Sequence, residues 1–233
     1  MNNKHYTDKT LSRILLEDNV TCYPLGQRVI ILEISGDISL TKQQKIWSLA
    51  SLALENEEVH EVVPGMNNLS IILKTPMRYF GEIRPFFENI WSKSKSFVPE
   101  PRQIEIPVKY GGQYGPDLMD VALYTQLTPN QVIEKHSSEI YTVFFLGFKP
   151  GFPYLGGMSK AIATPRKEVP RNLVPAGSVG IGGEQTGIYP TAAPGGWQLI
   201  GQTEVALFTP HETHPTLLRP GDQLKFIPVE VLT

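Results

Sequence analysis

Cysteine is nearly absent from this chain of 233 residues. The lone Cys22 excludes an intramolecular disulfide and fits a reducing, cytoplasmic compartment. Also missing is any apolar run near the roughly 18 residues of a membrane span. The opening stretch, MNNKHYTDKTLSRILLEDN, has no apolar segment of signal-peptide length, so neither an anchor nor an export signal is expected. Charge of one sign is scarce: Lys and Arg number 21 against 23 Asp and Glu, for a net charge of -2. That balance lacks the basic excess of a nucleic-acid binder. Covalent chemistry has no evident agent, because there is no G-x-S-x-G elbow and Cys22, in an apolar strand, reads as an inert thiol. His211 and His214 in HETH have no further ligands at zinc spacing, so no metal is expected. His136 closes a short helix, where a capping role beside the helix dipole accounts for it.

Glycine and proline are plentiful instead, 20 of each, and both punctuate regular structure, so many turns and few long helices are expected. The length allows one large domain or two ordinary ones. The polar, proline-bearing segment SKSKSFVPEPRQ marks a boundary between two, 1–97 and 98–233. In the first, after a polar start expected to fray, VTCYPLGQRVIILEIS reads as two strands hinged near Gly26. Thr41 and Gln44 form a capping box for a helix that carries Ile46, Leu49, Ala50, Ala53 and Leu54 at helical spacing. VHEVVPG and LSIILK read as a hairpin. Phe80, Ile83, Phe87 and Ile90 share one face of a second helix, which Gly81 and Pro85 interrupt. The order β-β-α-β-β-α predicts a small α+β sandwich, ferredoxin-like. In the second domain QIEIPVKY is a strand, and two short helices follow, the latter capped by Thr128 with Pro129 at its first position. Thereafter IYTVFFLGF, GSVGIGG, QTGIYPT, GWQLIG, EVALF and QLKFIP read as short strands of a barrel or sandwich.

Three clusters between Gly147 and Gly201 are the places where chemistry is expected. In LGFKPGFPYLGG the density of glycine and proline predicts a segment that leaves the sheet, carrying Phe148, Phe152 and Tyr154 with it. Those rings either plug a barrel end or form the apolar wall of a pocket or of an interface between subunits. In VPAGSVGIGGEQTGIYP, Gly177, Gly180, Gly182, Gly183 and Gly187 either free backbone N–H groups for an oxyanion, phosphate or carboxylate or serve plain β-bulges. A Walker-type ATP site is not expected, because Glu184 and Gln185 stand where the nucleotide loop needs Lys and Ser or Thr. In PGGWQLIG, Trp197 follows Gly195 and Gly196 and is placed to close over a ligand. Arg166, with Lys167 and Arg171 in ATPRKEVPR, brings positive charge between the first two clusters, and arginine suits bidentate carboxylate or phosphate binding.

Taken in order, GFKPGFPYLGG, TPR, VPAGSVGIGGEQTGIYP and PGGWQLIG, with PTLLRPGDQLKF near the end, resemble the family of the 5-oxoprolinase B subunit. That family also includes a sporulation-kinase inhibitor and the first subunit of allophanate hydrolase, and a similar region forms half of the carboxyltransferase domain of urea carboxylase. The resemblance implies a cyclophilin-like barrel in the second domain. It also implies partnership with the C and A subunits of 5-oxoprolinase, in a cytoplasmic system that hydrolyses 5-oxoproline to glutamate while consuming ATP. ATP is thus a cofactor of the complex, with binding by this chain left open. On this reading Arg166, Ser178 and Gln185 are the catalytic candidates. Phe148, Phe152, Tyr154, Gly177, Gly180, Gly182, Gly183 and Trp197 are the substrate-binding candidates, with the amides from Gly177 to Gly183 holding developing negative charge. The same motifs occur in the kinase inhibitor, so a non-catalytic role docked on a histidine kinase is the alternative.

Overall fold

The computed structural model describes residues 13–17, 19–94 and 100–232. The chain divides into two compact units, Met1–Val98 and Pro99–Thr233. The expected boundary after residue 97, and the part of the polar start up to residue 12, lie outside the described residues.

The first unit is a five-stranded antiparallel sheet in the order β1-β2-β3-β5-β4, made of β1 (Ile14–Glu17), β2 (Val20–Leu25), β3 (Val29–Ile34), β4 (Val59–Pro64) and β5 (Asn68–Leu73). Alternation sets which face is buried: Ile30, Leu32 and Ile34 of β3 and Leu69, Ile71 and Leu73 of β5 point into the core. Against that face pack α1 (Leu40–Leu54), through Ile46, Leu49 and Ala53, and α2 (Arg84–Lys93), through Phe87 and Ile90. Strand β1, within the stretch read as a polar start, buries Ile14. Cys22 of β2 is fully buried, which pushes its thiol up to about 12.

Three expectations for this unit need correction. The cap of α1 is Ser39, whose hydroxyl accepts from the Lys42 N–H, so Thr41 lies inside the first turn. Ser39 has the extended backbone a cap requires. Pro85 does not interrupt the second helix but sits in the first turn of α2, after a 3-10 turn at Phe80–Ile83, where a missing N–H costs nothing. Nor is the topology ferredoxin-like. β3, α1 and β4 make a crossover with β5 inserted between the two strands, as that fold requires. The strand beyond β3, however, is β2, supplied by a hairpin that precedes it rather than by a strand after α2.

The second unit is a closed barrel in the order β10-β11-β8-β7-β14-β6-β13. Its strands are β6 (Gln103–Gly111), β7 (Tyr141–Leu146), β8 (Pro153–Gly156), β10 (Ser178–Gly182), β11 (Gln185–Ile188), β13 (Gln198–Gln202) and β14 (Gln223–Leu232). The β6–β14 pair is parallel and the other pairs are antiparallel. Helices α3 (Leu118–Thr125) and α4 (Pro129–Ser137) contribute Leu118, Val121, Val132 and Ile133 to the barrel core. Thr128 caps α4 in a full capping box with Gln131. Two short strands, β9 (Arg171–Val174) and β12 (Ala193–Gly195), form a separate two-stranded sheet. EVALF is not a strand. Thr203 Oγ1 accepts the Val205 N–H locally, and Phe208 makes only an isolated bridge to Thr216. Among the described residues no helix is long and apolar enough to cross a membrane.

His136 is not a dipole-facing cap. It is wholly buried in the barrel core, 4.4 Å from the Phe226 ring. Thr186 Oγ1 donates to the Gly180 carbonyl at 3.0 Å and therefore accepts from His136 Nε2 at 2.8 Å. That leaves Nδ1 to accept from the Tyr110 hydroxyl at 2.7 Å, so the ring is neutral and both its nitrogens are used. Burial lowers its pKa to about 3, whereas an unfolded histidine titrates near 6.5. Between those values the unfolded chain binds a proton that the folded chain refuses, and stability falls as pH drops by up to roughly 1.4 kcal/mol per unit. Urea midpoints at pH 7.5 and 5.0 should show that loss. A His136→Gln chain should be less stable at pH 7.5 yet lose less on acidification; equal losses in both chains would assign the effect to other groups.

Candidate functional site

Phe152 organises one end of the second unit. Strand β7 turns at Gly147 and returns as β8, with Gly147 N–H bonded to the Phe152 carbonyl at 3.0 Å. The segment expected to leave the sheet is thus a hairpin turn of the barrel. Of its two prolines, Pro153 lies at the start of β8, where a missing donor is tolerated. The turn buries Phe152 and displays Phe148, which is 57% exposed and has a φ of 59°. The Phe152 ring meets Phe148, Tyr154, Tyr189 and Trp197 edge to face, with centroids 5.2 to 5.5 Å apart. Such pairs add about 0.5–1.5 kcal/mol each beyond area burial.

These rings and the β12 turn enclose a pocket of about 110 Å³, lined by Phe148, Phe152, Tyr154, Arg166, Tyr189, Pro194, Gly195, Gly196 and Trp197. Five candidates from the sequence therefore come together: Phe148, Phe152, Tyr154, Arg166 and Trp197. The Arg166 guanidinium lies 5.7 Å over the Trp197 ring, and no described carboxylate pairs with it.

The neighbouring cations are committed elsewhere. Asp117, its side chain 3% exposed, accepts from Arg171 at 2.6 Å and Lys167 at 3.0 Å through Oδ1, and from the Leu199 N–H at 2.7 Å through Oδ2. Burial alone would raise its pKa, but the hydrogen bonds from Arg171, Leu199 and Lys167 outweigh it and hold the carboxyl below its ordinary range. Further bonds fix the segment around Arg166. Lys167 N–H donates to the Gly196 carbonyl at 2.7 Å, and Gln198 Nε2 donates to the Pro165 carbonyl at 2.9 Å.

The glycine cluster does not form an anion cradle. Gly177 N–H donates to the Tyr189 carbonyl and Gly183 N–H to that of Thr164, while β10 pairs on both sides, with β11 and β13, committing its backbone to the ladders. Its role is spatial. A Cβ on Gly182 would stand 2.6 Å from the Trp197 indole, so the absent side chain makes room for that buried ring. Gly177, Gly180, Gly182 and Gly183 thus lie behind the pocket rather than in its lining. Ser178 is buried in β10, and Gln185 opens β11 opposite Gly182; neither lines the pocket.

Tyr189 and Asp117 escaped the sequence reading. Tyr189 stands inside a cluster already singled out, in GIYP, and burial raises its hydroxyl pKa, with a bond from the Trp197 backbone and the charge of Arg166 opposing. Asp117 carried no motif of its own, and only the three cations in RKEVPR, Arg166, Lys167 and Arg171, hint that a counter-charge is needed. His211 and His214 are exposed. Among the described residues no group of three or more His, Cys, Asp or Glu is arranged to hold a metal ion.

Residues 20–218 match the family model described as carboxyltransferase domain, subdomain C and D, which defines the class of both units. Over 207 residues the chain is 50% identical to the 5-oxoprolinase B subunit of Escherichia coli O157:H7, covering 89% of this chain and 95% of that one. The crystal structure of TTHA0988 superposes with a TM-score of 0.74 at 35% identity over 88% of this chain, which spans only 40% of that protein. The K. lactis urea amidolyase shares the fold, with a TM-score of 0.76 at 21% identity over 94% of this chain and 16% of its own. The chain belongs to the carboxyltransferase subdomain C and D family and, within it, to the family of 5-oxoprolinase B subunits.

The packing of Trp197 on Gly182 is open to a direct check. Gly182→Ala should destabilise the second unit by about 1–3 kcal/mol, the usual cost of overpacking, with a red shift in Trp197 emission. Combining it with Trp197→Leu should recover part of that loss in urea denaturation. An undiminished cost in the double variant would place the strain elsewhere.

Proposed function

We propose that this chain is the B subunit of an ATP-dependent 5-oxoprolinase complex, which hydrolyses 5-oxo-L-proline to L-glutamate with formation of ADP and phosphate. The observation that carries the reading is the match at 50% identity to a protein of that name across 95% of its length. On the same reading the barrel is cyclophilin-like, the partners are the C and A subunits of 5-oxoprolinase, and the complex is cytoplasmic.

The pocket's chemistry agrees with a share in such a site. 5-Oxoproline is a small flat lactam bearing one carboxylate. Arg166 supplies a bidentate partner for that carboxylate, and Phe152, Tyr154 and Trp197 supply walls for the ring. The Tyr189 hydroxyl, kept protonated by burial, is a hydrogen-bond donor at the pocket lining. The lining holds no nucleophile paired with a base, so the chain orients and binds while a partner chain completes the reaction. ATP drives the opening of a stable amide bond, but the residues here do not fit the nucleotide. The pocket is about 110 Å³, and the glycine amides are already bonded. ATP consumption therefore belongs to the complex and not to this pocket.

Mixing the chain with the A and C subunits and assaying glutamate release from 5-oxoproline, with and without ATP, tests the reading. Release only with ATP and all three chains is expected, and its absence from a well-folded mixture would reject the assignment. Arg166→Ala should lower turnover about 10- to 100-fold, the weight of a charge-assisted hydrogen-bond pair, while circular dichroism and the melting temperature stay unchanged.

A further inference from the structure

We infer that the pocket beneath Arg166 selects singly charged carboxylates and rejects doubly charged phosphates, because Asp117 and Asp120 cancel the two other cations and leave one positive charge facing the ligand. The inference rests on the pocket assigned above and narrows what that pocket accepts. Lys167 and Arg171 both bond Asp117, and Lys167 lies 3.8 Å from Asp120. Two cations thus meet two carboxylates. Arg166 has no such partner and lies against the pocket's Trp197 wall.

A monocarboxylate entering this space neutralises Arg166 and leaves no charge unpaired. A phosphate monoester carries nearly two charges above pH 7, so one would be held against aromatic walls with no counter-ion, which is costly. Size acts in the same direction. At about 110 Å³ the pocket lies below the roughly 300–1,000 Å³ of sites for drug-sized ligands, and it suits a five-membered ring with one carboxylate better than a nucleotide. Asp117 is accordingly a specificity-setting residue that acts through Lys167 and Arg171, without touching the ligand.

Saturation-transfer NMR on the full chain at pH 8 reads out weak binding directly. The probes share one ring: cyclopentanecarboxylate, cyclopentyl phosphate and neutral cyclopentanol, with 5-oxoproline alongside. Cyclopentanecarboxylate and 5-oxoproline should bind at least about tenfold more tightly than the other two, the effect of one matched charge, and Arg166→Ala should abolish that preference. Asp117→Asn should shift the carboxylate-to-phosphate ratio about five- to tenfold toward phosphate, and Lys167→Met should shift it the other way, which covers the case in which the first variant fails to fold. Phosphate binding as tight as carboxylate, a preference that survives Arg166→Ala, or binding of no probe overturns the inference. Binding of cyclopentanecarboxylate without 5-oxoproline supports the charge selectivity and removes 5-oxoproline as the ligand. ATP-dependent turnover in the assembled complex without Arg166-dependent binding keeps the function and overturns the selectivity.

Discussion

A carboxylate taken almost out of water is tolerated only when its oxygens are fully engaged, and Asp117 meets that condition with donors from three places in the chain. Arg171 starts β9, Lys167 follows Arg166, and the Leu199 N–H belongs to β13 just past Trp197. One buried charge therefore ties together the segment that carries the arginine, the small β9–β12 sheet and the strand behind the tryptophan. Both the position of Arg166 and its electrostatic isolation follow from that arrangement. Without it three cations would crowd the rim, and the segment between Thr164 and Arg171 would lose two of the side-chain bonds that hold it.

The aromatic wall is built on a second, steric constraint. Trp197 occupies its buried position only because Gly182 presents no side chain, and Phe152 fills the remaining space by meeting four rings at their edges. Interiors packed in this way have low compressibility and transmit strain rather than absorb it. The result is a small rigid cleft with one charged side chain, which suits orientation of a ligand more than the making and breaking of bonds.

How much of this was legible in the sequence depended on whether the feature was local. Strands β2 to β5, both helices of the first unit and the Thr128 cap follow from periodicity and capping chemistry, which act within a few residues. The order of strands in the sheet does not. The β-β-α-β-β-α string does not say which strand lies beside β3, and that neighbour, β2 rather than a strand after α2, is what separates the observed sheet from a ferredoxin-like one. The glycines of β10 misled for a related reason. Their freedom suits an anion-binding loop or the close approach of a large ring, and the deciding contact, Gly182 with Trp197, spans residues distant in sequence. His136 read as a dipole-facing cap because its partners, Tyr110 of β6 and Thr186 of β11, are distant from α4 in sequence. Phe148, Phe152, Tyr154, Arg166 and Trp197 were found because their motifs crowd aromatic, glycine and basic residues together, whereas Asp117 carried no such mark.

The combination of a rigid cleft, a single free cation and no nucleophile also bears on why a reaction of this kind would be divided among chains. Hydrolysis of an unactivated amide requires both an activated carbonyl and a positioned water, and the two are best kept apart until the substrate is bound. A cleft that holds a carboxylate by charge and a ring by shape supplies the positioning part alone. Because β10 and β13 are locked into a closed barrel on both sides, the strands behind the cleft are in place in this chain by itself. On the proposed function a partner would add the reacting groups and exclude water over the Phe148 side, where that ring is exposed. On the proposed function the division of labour follows from this architecture: the cleft would present the substrate, and the reacting groups would come from a partner chain.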